Sequence, residues 1–205
     1  ASELNIPLGL GSQRIMIENE DVQNSFSIVR EVSKDVIVLS NVGGVQLAQW
    51  QKAGGFEAKL EKIVKSVDAN ALIVHLNPLQ ELVQPEGDTD FTGVLQAIQH
   101  TVELLYPLPI IVKETGAGIS KYVGQKLLDA GVSFIDVAGA GGTSWSKVEY
   151  LRDPIAKDAT QTFGDWGIST ADSLFMLRGL KHENSLKIIA SGGLYSAVDM
   201  LKALT

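Results

Sequence analysis

Apolar residues fall in six short clusters along the chain: Ile6–Gln13, Val36–Gly43, Ala71–Asn77, Pro109–Gly116, Phe134–Gly141 and Lys187–Gly193. Runs such as Ala71-Leu-Ile-Val74 and Ile110-Ile-Val112 are apolar at consecutive positions rather than alternate ones. A strand of that pattern is buried on both faces, as in a parallel sheet covered by helices. Between the clusters the period changes. Val94, Ile98, Val102 and Leu105 form a stripe at spacings of three and four, which predicts a helix over Phe91–Leu105. Phe56–Val67 and Ser120–Ala130 follow the same rule, with Lys, Glu and Gln on the other face. Strands alternating with helices predict right-handed βα units in one parallel sheet.

Two architectures meet that description, a doubly wound open sheet and a (β/α)8 TIM barrel. The dinucleotide fingerprint G-x-G-x-x-G follows none of the strands, and its nearest approach, Gly9-Leu-Gly11-Ser-Gln-Arg14, ends in arginine. Polar residues and glycines instead crowd the C-terminal end of nearly every strand, where a barrel assembles its active site. The expectation is therefore one α/β domain over residues 1–205, supplying about six βα units of a parallel barrel. A complete barrel takes about 250 residues. The chain opens almost on a strand and stops in a helix over Ser196–Leu204, so both ends read as cut. Alone, such an unclosed barrel is expected not to catalyse.

Composition narrows the function classes. A net charge of −7 argues against a general nucleic-acid binder. No apolar run is long enough to span a bilayer, and Ala1–Leu10 lacks the features of a signal peptide. With no cysteine there is neither a disulfide framework nor a thiol nucleophile. A cytoplasmic enzyme is expected, without nucleic-acid or membrane partners.

The strand ends carry the candidate chemistry. Gly11-Ser12-Gln13-Arg14 offers a guanidinium fork suited to phosphate, with a plain surface ion pair as the alternative. Asn41, ahead of Gly43-Gly44, could meet the edge of a heterocycle. His75-Leu-Asn77-Pro-Leu-Gln80-Glu81 is the most specific string. Alternation puts His75 and Asn77 on one side. One carboxylate beside neutral donors fits a single Mg²⁺ completed by substrate oxygens and waters. Lys113 ends an apolar strand and should need an anionic partner, for which Glu114 and a reduced flavin are candidates. Glycine-rich turns at Gly139–Thr143 and Gly192-Gly193 could hold a phosphate with backbone N–H groups. Trp50, Trp145 and Trp166 read as packing residues, and His100 and His182 as surface groups on helices.

Taken in order, these strings, together with Gly141-Gly-Thr-Ser-Trp145 and Asp165-Trp-Gly-Ile168, resemble the type 2 isopentenyl-diphosphate isomerases over almost the whole chain. The resemblance implies FMN held by Ser12, Asn41, Lys113, Thr143 and the Gly192-Gly193-Leu194 turn. It implies an isoprenoid diphosphate lined by Arg14, His75, Asn77 and Gln80, with Gln80 nearest the reacting carbons, and Mg²⁺ on Glu81. It further implies NADPH as reductant, a homo-oligomer, and a redox-neutral double-bond shift in which reduced flavin moves the protons. Two features of the family are missing: an N-terminal Arg-Lys and His segment, and a Met-Thr-Gly-Gly strand end. Ala138 stands where relatives often carry serine. A 2-hydroxy-acid oxidase-like FMN barrel and a non-catalytic barrel fragment are the competing expectations.

Overall fold

Six strands form at the six predicted clusters: β1 (Leu8–Gly9), β2 (Val38–Gly43), β3 (Ala71–His75), β4 (Ile110–Lys113), β5 (Phe134–Asp136) and β6 (Lys187–Ile189). A computed structural model describes residues 1–152, 162–183 and 186–205. Every strand pairs in parallel with its neighbour in sequence, in the order β1 to β6. A doubly wound sheet reverses its order at a switch point. Here the order never reverses, so the chain supplies six strands of a partial (β/α)8 barrel.

The strands alternate between two apolar layers. Leu72, Val74, Ile110, Val112, Ile135 and Val137 join the main core. That core includes α3 (Gly44–Ala53), α4 (Phe56–Lys65), α6 (Val94–Leu105), α7 (Lys121–Asp129) and α9 (Thr170–Glu183). Ala71, Ile73 and Ile111, with Leu39 and Phe134, form a separate cluster on the opposite strand face, inside the curve of the sheet. Burial on both faces is what their consecutive apolar runs encode.

Shorter helices complete the units: α1 (Arg14–Glu18) and α2 (Gln23–Val32) after β1, α5 (Pro78–Val83) after β3, α8 (Trp145–Arg152) after β5 and α10 (Ala197–Leu204) after β6. Pro78 opens α5 where its missing N–H costs nothing, and a Ser196–Asp199 capping box opens α10. None of the described helices is long and apolar enough to cross a membrane. Among the described residues the outermost strands β1 and β6 each have one neighbour. Beyond β6, the apolar residues Val198, Leu201 and Leu204 of α10 are exposed.

At the N-terminal ends of the strands, Arg30 ties the turns together. Its Nε donates to Val67 O at 2.8 Å, Nη1 to Lys34 O and Val36 O, and Nη2 to Asp68 O and Asn70 Oδ1. All five N–H groups are therefore used, and every acceptor is an uncharged oxygen.

Several expectations shift in the structure. The strands stop short of their polar ends, as at His75 rather than Asn77, because the following residues leave the ladder to build loops. The helix expected from Phe91 begins at Val94, after Gly93 at φ 87°. His100 is half-buried and stacks on Phe56 at 4.7 Å, whereas the side chain of His182 lies outside the described residues. Trp50 is buried as expected, but Trp145 and Trp166 are 42% and 65% exposed, so packing does not account for them.

Candidate active site at the C-terminal strand ends

The register places Gly43, His75, Lys113, Asp136 and Ile189 side by side across β2 to β6. By strand parity, His75, Lys113 and Asp136 share the inner face with Ile73, Ile111 and Phe134. Three ionisable groups thus end adjacent strands in one layer.

Asn41, one pair of positions down β2, is committed within the chain. Its Nδ2 donates to Leu10 O at 2.8 Å, which turns Oδ1 toward His75 Nδ1 at 2.9 Å. These bonds lock the His75 ring and use one N–H and one lone pair of the amide, which leaves the second of each for a ligand. Burial, then the nearby Lys113 ammonium, lowers the His75 pKa from its ordinary 6.5 to about 4, leaving the imidazole neutral.

The Lys113 ammonium does not meet the Glu114 carboxylate. Its Nζ donates to the main-chain oxygen of Glu114 at 2.6 Å. The carboxylate turns away and accepts the backbone N–H groups of Thr115, Gly116 and Ala117. Burial pushes the Glu114 carboxyl above its ordinary value against the pull of those donors. The anionic partner expected for Lys113 is thus not supplied by its neighbour, because three N–H groups outcompete one lysine for that carboxylate.

After β3, the polar string folds onto itself. Asn77 Nδ2 donates to Glu81 Oε1 at 2.7 Å and approaches Gln80 Oε1 at 3.4 Å. Glu81 Oε2 accepts the N–H of Asp88 at 2.7 Å. Gln80 Nε2 reaches across to Glu149 Oε1 of α8 at 3.3 Å. Glu149 was not legible as a site residue: nothing in the Trp145–Arg152 pattern marks it, yet it is only 3% exposed and is joined by Arg152 at 2.9 Å. A cavity of about 320 Å³ opens here, lined by Gln80, Thr115, Gly116, Thr143, Trp145 and Trp166 among others. This explains the exposure of the two tryptophans.

The two glycine turns pack against each other. A Cβ on Gly193 would strike the Gly141 backbone, and one on Gly192 the Gly139 backbone; both positions also have positive φ. Ser191 Oγ donates to Asp136 Oδ1 at 2.5 Å, and Thr170 Oγ1 donates to Gly192 O at 2.6 Å, fixing the turn. The backbone N–H groups of Gly141, Gly142, Gly192, Gly193 and Leu194 meet no acceptor among the described residues. They border the first cavity and a second of about 830 Å³ between α9 and α10, the two meeting at Ala140 and Gly141.

Of the remaining candidates, Thr143 is exposed on the wall of the first cavity and Ser12 is exposed after β1. Arg14 is exposed and pairs with Glu18 at 3.2 Å on α1. Among the described residues no three His, Asp or Glu side chains converge as a metal cage. A cation here would rest on one protein carboxylate with ligand oxygens and water, as Mg²⁺ commonly does.

A polar layer closing the C-terminal ends of sequentially ordered parallel strands defines a barrel enzyme site, and comparison with known proteins places it. The chain belongs to the family described as the conserved region in glutamate synthase, whose model matches residues 13–205. Within that setting its relatives agree with the motif resemblance. It is 47% identical to the isopentenyl-diphosphate delta-isomerase of Pyrococcus furiosus, over all of this chain and 51% of that protein. Identity to the proteins of that name from Methanococcoides burtonii and a Synechococcus strain is 45% and 44%, covering 55% and 57% of them. The chain thus spans about half the length of the curated relatives it matches.

Proposed function

We propose that the natural protein isomerises isopentenyl diphosphate to dimethylallyl diphosphate with reduced FMN and Mg²⁺, NADPH serving as reductant. The observation that carries this reading is the Asn77–Gln80–Glu81–Glu149 cluster, in which the start of α5 links a metal-competent carboxylate to an amide held by a second, buried carboxylate. Reduced FMN, when bound, would supply a proton donor and acceptor. The open N–H groups of Gly192, Gly193 and Leu194, with the Ser12 and Thr143 hydroxyls, suit its phosphate and polar edges. The Lys113 ammonium suits the negative charge of its reduced ring. Asn41 serves that site through His75.

Arg14, His75 and Asn77 would grip the diphosphate, and Arg14 can leave an exposed ion pair to do so at little cost. Gln80 would position the alkene. A proton added to the terminal carbon leaves positive charge on the next carbon, and the Glu149 carboxylate behind Gln80 would stabilise it. The 2-hydroxy-acid alternative calls for a histidine and an arginine on the late strand-end loops, and Ala138–Thr143 and Ser191–Leu194 supply neither.

Lys113→Ala should weaken FMN binding about tenfold to a hundredfold, the worth of one charge-assisted hydrogen bond, and should lower the flavin reduction potential. Flavin titration and a redox titration measure both, and unchanged values would remove Lys113 from the site. Glu81→Gln should raise the Mg²⁺ concentration needed for half-maximal turnover about tenfold, through loss of one anionic ligand. The flavin spectrum should stay as it is. Normal metal dependence in that variant would refute the assignment of Glu81.

A further inference from the structure

The hydrogen bonds of His75, at the end of β3, decide its chemical form. Asn41 Nδ2 donates to Leu10 O, so Asn41 Oδ1, an acceptor, faces His75 Nδ1. The proton of the neutral ring must therefore be on Nδ1, and Nε2 carries a bare lone pair. Nε2 bonds to nothing among the described residues, and since no buried side-chain nitrogen or oxygen there lacks a partner, this atom keeps some contact with solvent.

The groups facing the ring keep it neutral. Lys113, its register partner on β4, is cationic. Asn41 on β2 is uncharged. Gln46, in the first turn of α3, is uncharged and lies with His75 Nε2 near Gly43. The N-terminus of α3 adds a positive dipole end.

A neutral ring of this form cannot bind an oxyanion through Nε2, because a lone pair would face a lone pair. Moving the proton from Nδ1 to Nε2 would set Nδ1 against Asn41 Oδ1, acceptor against acceptor. Flipping Asn41 would do the same at Leu10 O. Protonation at Nε2 is the remaining route, and an arriving diphosphate reverses the local field that resists it.

We propose that His75 binds the anionic group of the substrate by taking up one proton at Nε2 as that group arrives, with Asn41 holding Nδ1 as a fixed donor. The proton comes from the buffer, and the Nε2 lone pair forms the new N–H bond. This rests on the diphosphate reading above.

The test is calorimetry of inorganic pyrophosphate binding to the FMN-loaded protein at its full natural length, in buffers of different ionisation enthalpy. The native protein should take up close to one proton per site more than His75→Gln near neutral pH. Its affinity advantage over that variant should fall about tenfold per pH unit between the free-ring pKa and the raised value in the complex, since the protonated form is the one that binds. Equal proton uptake by both proteins would overturn the inference while leaving the diphosphate reading intact. Failure of pyrophosphate to bind either protein would sink that reading and the inference with it. Ring ¹⁵N shifts in the unaltered protein give an independent check: both nitrogens should be protonated in the complex, and a neutral ring protonated at Nε2 alone would refute it.

Discussion

Replacing Glu149 with glutamine is expected to slow isomerisation by about a hundredfold or more, the usual scale for a group acting on a reacting proton or charge. The carboxylate is almost fully buried, and its two oxygens meet Gln80 and Arg152. Glutamine keeps the volume and most of the hydrogen bonding but removes the negative charge that the proposed mechanism sets next to the developing positive charge. Binding of FMN and thermal stability should change little, which separates this effect from a folding defect. Gln80→Ala should also slow turnover, and the double variant should lose less than the sum of the two, because residues that act as a unit are not additive. A Glu149→Gln enzyme with native kcat would show that the charge is not used.

Arg30→Ala is expected to cost about 2–4 kcal/mol of stability, since it removes five charge-assisted hydrogen bonds of which several are open to solvent. For a chain of this size that is a fall in Tm of about 5–15 °C. The oxygens of Val36 and Val67 would lose a donor in a partly buried setting. Arg30→Lys should recover little, because one ammonium cannot reach five oxygens spread over two turns. Flavin affinity measured below the transition should be native in both variants, since Arg30 lies at the opposite end of the strands from the site. A Tm within about 2 °C of native in Arg30→Ala would show that the turns hold without it.

The central strands were legible because β3 and β4 are apolar on both faces, and a covered parallel sheet is what buries Ala71-Leu-Ile-Val74. Their ends were not, since pairing stops where loop hydrogen bonds begin to compete, and β1 keeps two paired residues of the eight read as apolar. The string from His75 to Glu81 was legible as a candidate site by its mixture of donors around one carboxylate, and its internal bonds link Asn77, Gln80 and Glu81. Cross-strand relations were not. That Asn41 serves His75 depends on the β2–β3 register, and that Lys113 turns to a carbonyl depends on how Glu114 folds back. Glu149 was hidden for a similar reason: α8 has no clean polar face, so only its packing beside α5 shows that this glutamate points inward. The glycine turns were read as phosphate cradles, whereas their first demand is the close approach of two backbones.

The most direct test is to incubate the protein at its full natural length with isopentenyl diphosphate, FMN, NADPH and Mg²⁺ under reducing conditions. The account predicts conversion to dimethylallyl diphosphate that requires all of FMN, a reductant and Mg²⁺, with no net consumption of NADPH once the flavin is reduced. Conversion that proceeds without flavin, or no conversion while the bound flavin is reduced by a 2-hydroxy acid, would contradict it.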